Sequence, residues 1–269
     1  MSIKRTVRLA KMGVVRAVGA ALPYGFWDFV FQIGLLSTCY WLYTFTRAMV
    51  RSDDAVALHN ATVVMNTEKA LGIFREPWLQ AKVSHAEWLV RDLGWFWSNV
   101  HLPVILGCLL WMYFARRYYY GFFRDWFLTI NVIGIAVYAL LPTAPPRLVP
   151  SSGIVDTMYV LSPHSLPWGI TSATANPYAA MPSLHMAYAL FVACCVMLLS
   201  RRRWPKVLFA FYPVVIGFAI IVTGNHWFLD ALAGALVTFA AYVVCARLSH
   251  QSVQSLQPAE VLIRFTDDL

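Results

Sequence analysis

Long apolar runs separated by short polar segments dominate the chain. The runs, at about 26–46, 95–114, 125–142, 184–200, 206–223 and 227–246, are each near the ~20 residues that a helix needs to cross a hydrocarbon core about 30 Å thick. They do not alternate as lipid-facing barrel strands do. The pattern therefore predicts an all-α, polytopic membrane helical bundle of about six transmembrane helices. Between the first two runs, Leu71, Ile73, Trp78, Leu79, Val83 and Trp88 are interspersed with Glu68, Lys69, Arg75, Glu76 and Lys82. That mixture marks amphipathic helices lying in the interface, not a span. From about 143 to 182, Pro, Ser, Thr and Gly accumulate, and a long irregular loop of the kind that forms a lid or wall over a site is expected. The predicted organisation is a basic N-terminus over 1–25, a first membrane helix with interfacial helices over 26–94, a catalytic bundle over 95–247 and a tail over 248–269.

Composition sharpens this picture. Of 269 residues, 59% are apolar and only 13% charged, too few to clothe a soluble surface of this size. Cys39, Cys108, Cys194, Cys195 and Cys245 all lie inside apolar runs, without metal-ligand or redox spacing, and read as lipid-buried fillers. The net charge of +8 comes from short clusters between apolar runs, not from one basic stripe, which argues against nucleic acid as a partner.

Lys4, Arg5, Arg8, Lys11 and Arg16 precede the first run. That run is too long for a cleaved signal, and Tyr43, Phe45, Arg47 and Met49 stand where small residues would be needed. A membrane anchor with a basic cytoplasmic flank is expected instead. With both termini cytoplasmic, most of the 21 Lys and Arg fall on the inner side, as the positive-inside rule requires. A multi-pass protein of the cell (plasma) membrane follows, with its unusual loop ends on the extracytoplasmic face.

Three of those ends carry candidate chemistry. Thr223-Gly224-Asn225-His226-Trp227-Phe228-Leu229-Asp230 puts a histidine and an aspartate one turn apart at the start of an apolar helix. A carboxylate that accepts one imidazole proton fixes the tautomer and raises the basicity of the other nitrogen, so Asp230 would orient and His226 attack. Ionisable groups at a membrane helix end carry a functional reading by default. Ala180-Met181-Pro182-Ser183-Leu184-His185 places a proline and a serine at an early helical position, where open backbone N–H groups suit a phosphate. There His185 would protonate a leaving oxygen while Pro182 and Ser183 line the phosphoryl site. Pro142-Thr143-Ala144-Pro145-Pro146-Arg147-Leu148 presents one arginine on a stiffened segment, fit for bidentate phosphate contact. His101, Asn225 and Tyr188 flank these motifs and are further substrate-binding candidates, with Asn176 and Tyr178 beside them; His59, His85, His164 and His250 have no such context.

In this order, each at the end of a span, the three elements resemble the type 2 phosphatidic acid phosphatase superfamily. PTAPPRL, the downstream Gly153-Ile154-Val155-Asp156-Thr157, MPSLH in place of a P-S-G-H, and Asn66, Glu68, Leu71-Gly72-Ile73 and Glu76 upstream look most like its inositol phosphorylceramide synthase branch. The resemblance covers about residues 60–245. It implies a helical core in which His226 attacks phosphorus, Asp230 supports it, His185 protonates the leaving group and Arg147 binds phosphate, with no metal or other cofactor. Two cations of the wider superfamily are missing: Leu140 stands in place of a lysine, and Ala219-Ile220 in place of a Ser-Arg pair. A phosphodiester is thus expected to suit the site better than a highly charged free phosphate.

The expected partners are a lipid phosphate or phospholipid, or a polyprenyl (pyro)phosphate, within the membrane lipids, and inositol or another alcohol as acceptor. A phosphatase, a phosphotransferase and a non-catalytic transporter or scaffold built on the same bundle all remain open at this stage. The intact His185, His226 and Asp230 and the absence of an internal repeat weigh against the third.

Overall fold

The computed structural model describes residues 22, 24–49, 54–157, 160 and 178–248. The basic N-terminal cluster, Arg51, Asn176, His164, His250, the middle of the 143–182 loop and the tail after 248 lie outside the described residues.

Nine α-helices are present among the described residues: α1 (Phe26–Met49), α2 (Asp54–Ala70), α3 (Glu76–Val83), α4 (Glu87–Asn99), α5 (His101–Ala115), α6 (Arg117–Leu140), α7 (Leu184–Leu199), α8 (Arg203–Val222) and α9 (Phe228–Leu248). Every predicted apolar run has become a helix. Three of them, α6, α8 and α9, are long and apolar enough to cross a membrane, and α4 with α5 makes a fourth if that pair, bent by 42° at its break, is one span. The count of six is not reached by this measure. The 24-residue α1 carries Asp28 and Gln32 in its first turns, and α7 has only 16 residues, about 24 Å of helix.

α7 is central. It packs against α5, α6, α8 and α9, and Ala187, Ala189, Phe191, Val192 and Cys195 are all fully buried. The surrounding helices face outward with apolar stripes. On α8, Trp204, Val207, Leu208, Phe211 and Val214 are exposed while Tyr212, Ile216 and Ile220 are buried, the 3.6-residue period of a helix with lipid on one side and protein on the other. Phe123, Trp126, Phe127, Tyr188 and Phe191 fill the centre edge to face and tilted, and the Trp126 indole N–H donates to the Thr238 carbonyl at 2.8 Å.

The amphipathic helices α2 and α3 lie against the site end of this bundle, in contact with α9 and α8 respectively. Ala57, Ala61, Val64 and Met65 of α2 form a second apolar cluster with Ala144, Val149, Ile154 and Trp227. That cluster joins α2, the PTAPPRL segment and the start of α9. Two backbone bonds between Thr143 and the chain near Ala179, Thr143 N–H to Tyr178 O at 2.8 Å and Ala180 N–H to Thr143 O at 3.1 Å, tie the first and second motifs together.

Candidate functional site

α9 begins at Phe228 because the preceding turn is tight and glycine-dependent. Gly224 has φ +72°, a conformation open to glycine at little cost, and a Cβ there would meet Ile154 Cγ2 and Val155 O at 3.0 Å. The Gly224 carbonyl accepts the Arg147 backbone N–H at 3.1 Å, so the first and third motifs are joined through the main chain. The turn delivers His226 to the bundle end, where it is only 4% exposed, while Asp230, inside the first turn, is fully buried.

α7 begins with a local cap. Ser183 has extended backbone angles, and its hydroxyl accepts the Met186 N–H at 3.3 Å, an N-cap that satisfies one of the helix's free donors. Pro182 therefore precedes the cap and is not in the first turn as the sequence suggested; its carbonyl accepts the Tyr138 hydroxyl at 2.8 Å. Ser183 is fully buried, and its N–H donates to the Asp230 carbonyl at 2.9 Å. α7 and α9 meet here at very short range, since a Cβ on Gly234 would lie 2.2 Å from Ser183 O.

The two helix starts bring three ionisable groups into line. His185 Nδ1 lies 3.2 Å from His226 Nε2, and His226 Nδ1 lies 3.3 Å from Asp230 Oδ2. The same carboxylate oxygen accepts the Trp227 N–H at 2.9 Å. With Asp230 ionised, the His226 proton sits on Nδ1, so Nε2 carries a lone pair and accepts the Nδ1 proton of His185. In that proton state the three groups form one hydrogen-bonded line, His185 to His226 to Asp230.

Arg147 approaches from the PTAPPRL segment. Its Nη1 donates to Asn225 Oδ1, and its Nε pairs with Asp156 Oδ2 at 3.2 Å. Asn225, next to His226, and Arg147 of the PTAPPRL segment are thus one unit. On the other side of His185 stand Trp97 and His101, at the bend between α4 and α5, with ring centroids 4.9 and 5.6 Å from the His185 ring. His101 Nδ1 is 2.6 Å from the Tyr212 hydroxyl, but His101 Nε2 and Trp97 Nε1 are buried without a hydrogen-bond partner among the described residues. Tyr188 stacks on His101 at 6.3 Å and donates to Asn131 Oδ1 at 2.6 Å.

A family model of the PAP2 superfamily matches residues 62–244. The chain belongs to that superfamily. It is 28% identical over 210 residues, covering 72% of this chain and 68% of the relative, to a phosphoinositol dihydroceramide synthase of Bacteroides thetaiotaomicron. No solved structure matches it. As a PAP2-superfamily member the protein is an enzyme, a membrane phosphatase or phosphotransferase of lipid metabolism, and a transporter or scaffold role falls away.

Several groups around this PAP2 site had no role assigned from sequence, although Asp156, Glu68 and Glu76 carried part of the family resemblance. Asp156 was noted only as part of a similar pentapeptide, yet it pairs with Arg147. Gln80 of α3 donates to Val155 O at 2.9 Å and Val222 O at 3.0 Å and accepts the Val155 N–H, stitching the loop after Arg147 to the end of α8. Glu68 and Glu76 are fully buried and bond the start of α9: Glu76 Oε1 accepts the Phe228 N–H at 3.0 Å, and Glu68 Oε1 the Leu229 N–H at 2.7 Å. Burial with few partners was the signal that could have found them, because a carboxylate beside a membrane core is costly unless hydrogen-bonded.

Proposed function

We propose that the enzyme moves a phosphoryl-bearing group of a membrane lipid through a phosphohistidine on His226, on the extracytoplasmic face. The observation that carries this is the line His185 Nδ1, His226 Nε2, His226 Nδ1, Asp230 Oδ2, with gaps of 3.2 and 3.3 Å. In the first half-reaction His226 Nε2 attacks phosphorus, the bond from phosphorus to the leaving oxygen breaks, and the Nδ1 proton of His185 passes to that oxygen. In the second, an acceptor O–H attacks phosphorus, its proton returns to His185, and the P–N bond breaks to regenerate His226. The N···N contact between the histidines closes the space a phosphoryl group needs, so binding separates the rings and frees the proton for transfer.

Arg147 and Asn225 bind the non-bridging oxygens. Because Asp156 already offsets the arginine's charge, and no cation occupies positions 140, 219 or 220, the site suits a singly charged phosphodiester. The buried, unpartnered His101 Nε2 and Trp97 Nε1 beside His185 supply polar contacts where the leaving and accepting oxygens come and go. Similarity to a phosphoinositol dihydroceramide synthase supports an alcohol as acceptor, with a phosphoinositol group passed to a lipid hydroxyl. Capture of the same intermediate by water would make the enzyme a phosphatase.

Detergent-purified protein given a panel of lipid phosphates and inositol phospholipids, with and without a lipid alcohol, tests this. An alcohol-dependent phospholipid product that disappears in His226→Ala is expected. Free phosphate released regardless of added alcohol would move the reading to hydrolysis, and full activity of His226→Ala would end the phosphohistidine mechanism.

A further inference from the structure

We propose that Glu68 and Glu76 are positioning residues for this reaction, a pair of carboxyls on α2 and α3 that grip the first backbone N–H groups of α9 and so set His226 against Asp230. The inference rests on the phosphohistidine reading above.

A helix start leaves its first N–H groups without intrahelical partners. At α9, three consecutive ones are each taken by a carboxyl oxygen: Trp227 by Asp230 Oδ2, Phe228 by Glu76 Oε1 and Leu229 by Glu68 Oε1. Only the first of these is local; the other two come from residues 152 and 161 positions earlier in the chain. They grip the peptide units between the nucleophile and its aspartate. The His226–Asp230 separation of 3.3 Å is already near the limit of a useful hydrogen bond, so a displacement of about 1 Å at this turn would uncouple the pair, a loss of order 100-fold in rate.

The pair also carries a constraint of charge. The second oxygens, Glu68 Oε2 and Glu76 Oε2, are buried and meet no donor among the described residues, and the titratable groups that act on Glu68 are Glu76 from α3 and Asp230 from α9. Burial, with the adjoining Glu76 carboxyl, pushes Glu68 up to about 9. A proton held between the two carboxyls satisfies both second oxygens and spares Asp230 a further neighbouring charge. A glutamine can replace a protonated glutamic acid at such a place, since it keeps one acceptor oxygen and one donor.

The test is a set of full-length variants, Glu68→Ala, Glu76→Ala, Glu68→Gln and Glu76→Gln, assayed beside His226→Ala on the lipid substrate that wild type turns over in the panel. Amide hydrogen exchange of the peptide spanning 224–232 is followed in parallel. In the alanine variants kcat is expected to fall about 100-fold with KM within about twofold, and exchange in that peptide to speed up. The glutamine variants are expected to keep wild-type exchange and neutral-pH turnover; wild-type turnover is expected to fall as pH passes about 9, and Glu68→Gln to lose that fall. Wild-type kcat in the alanine variants, or glutamine variants as impaired as the alanine ones, overturns the proposal. So does lost activity without any change in exchange. The exchange measurement needs no turnover, so it separates a failure of the grip from a failure of the chemistry: an active His226→Ala would overturn the reading on which the grip depends, whatever the peptide shows.

Discussion

The two histidines stand at the starts of two helices that pack side by side at one site, and those starts are built in opposite ways. α7 is capped by its own Ser183, whose hydroxyl takes the Met186 N–H at 3.3 Å. α9 has one local carboxylate, Asp230, and borrows Glu68 and Glu76 from helices outside the central bundle. A local cap stabilises a helix wherever it sits, typically by about 1 kcal/mol. A borrowed cap also fixes the helix relative to its lender, each backbone bond contributing about 0.5–1.5 kcal/mol. In the proposed mechanism His185 needs only to reach a leaving oxygen, whereas His226 must keep two nitrogens aligned at once, on phosphorus and on Asp230, and its helix start carries the extra bonds.

This contrast can be broken most severely at the nucleophile itself. His226→Ala should lower turnover by about 10⁵-fold, as removal of a covalent nucleophile does, and His185→Ala by less, because a leaving oxygen can take a proton from water; single-turnover kinetics on the identified lipid measures both. Asp230→Asn should cost on the order of 10³-fold to 10⁴-fold in kcat with little change in KM, since the asparagine keeps the shape but favours the wrong imidazole tautomer. Where the helices touch, Gly234→Ala should destabilise the protein by about 1–3 kcal/mol, because its Cβ would fall 2.2 Å from Ser183 O, and a thermal melt in detergent reads the drop. Ser183→Ala should show the smallest loss, about 1 kcal/mol of stability, with kcat nearly unchanged. If Ser183→Ala instead abolished turnover at wild-type stability, the serine would be contacting phosphate and the contrast between the two helix starts would collapse.

The borrowed cap adds a pH dependence of definite sign. Glu68 is raised in the folded protein from 4.5 to about 9. A carboxyl shifted this way favours folding fully below its unfolded value, and that contribution is lost as pH rises through the folded one. Melting temperature should therefore decline from about pH 4.5 to about pH 9 through this group, and the decline should be shallower in Glu68→Gln.

Much of the fold was legible in advance. Long non-alternating apolar runs can be little else than membrane helices, because in lipid every backbone polar group must be bonded within its own segment; the helices duly appear at all six runs, although fewer meet the length and apolarity needed to span. α7 fell short in length, with 16 residues between Ser183 and Ser200. His226 and Asp230 were legible for a similar reason: four-residue spacing on a helix puts them on one face, and ionisable groups near a membrane core need a use. The alignment of His185 with His226 was foreseen only through the family resemblance, since 41 residues separate them and no local rule spans such a gap.

What sequence alone determined, then, is whatever depends on neighbours along the chain: helical periodicity, the Ser183 cap, the glycine turn at 224, the His226–Asp230 pair. What only tertiary structure decided is which distant groups meet. Asp156 on Arg147, Trp97 and His101 around His185, and Glu68 with Glu76 on the start of α9 are products of packing. The physical reason is the range of the forces involved. Hydrogen bonds act over about 3 Å, so a motif can specify its own partners but not those that arrive from another helix, and a buried carboxyl written into an interfacial helix acquires its role only when the bundle end is assembled around it.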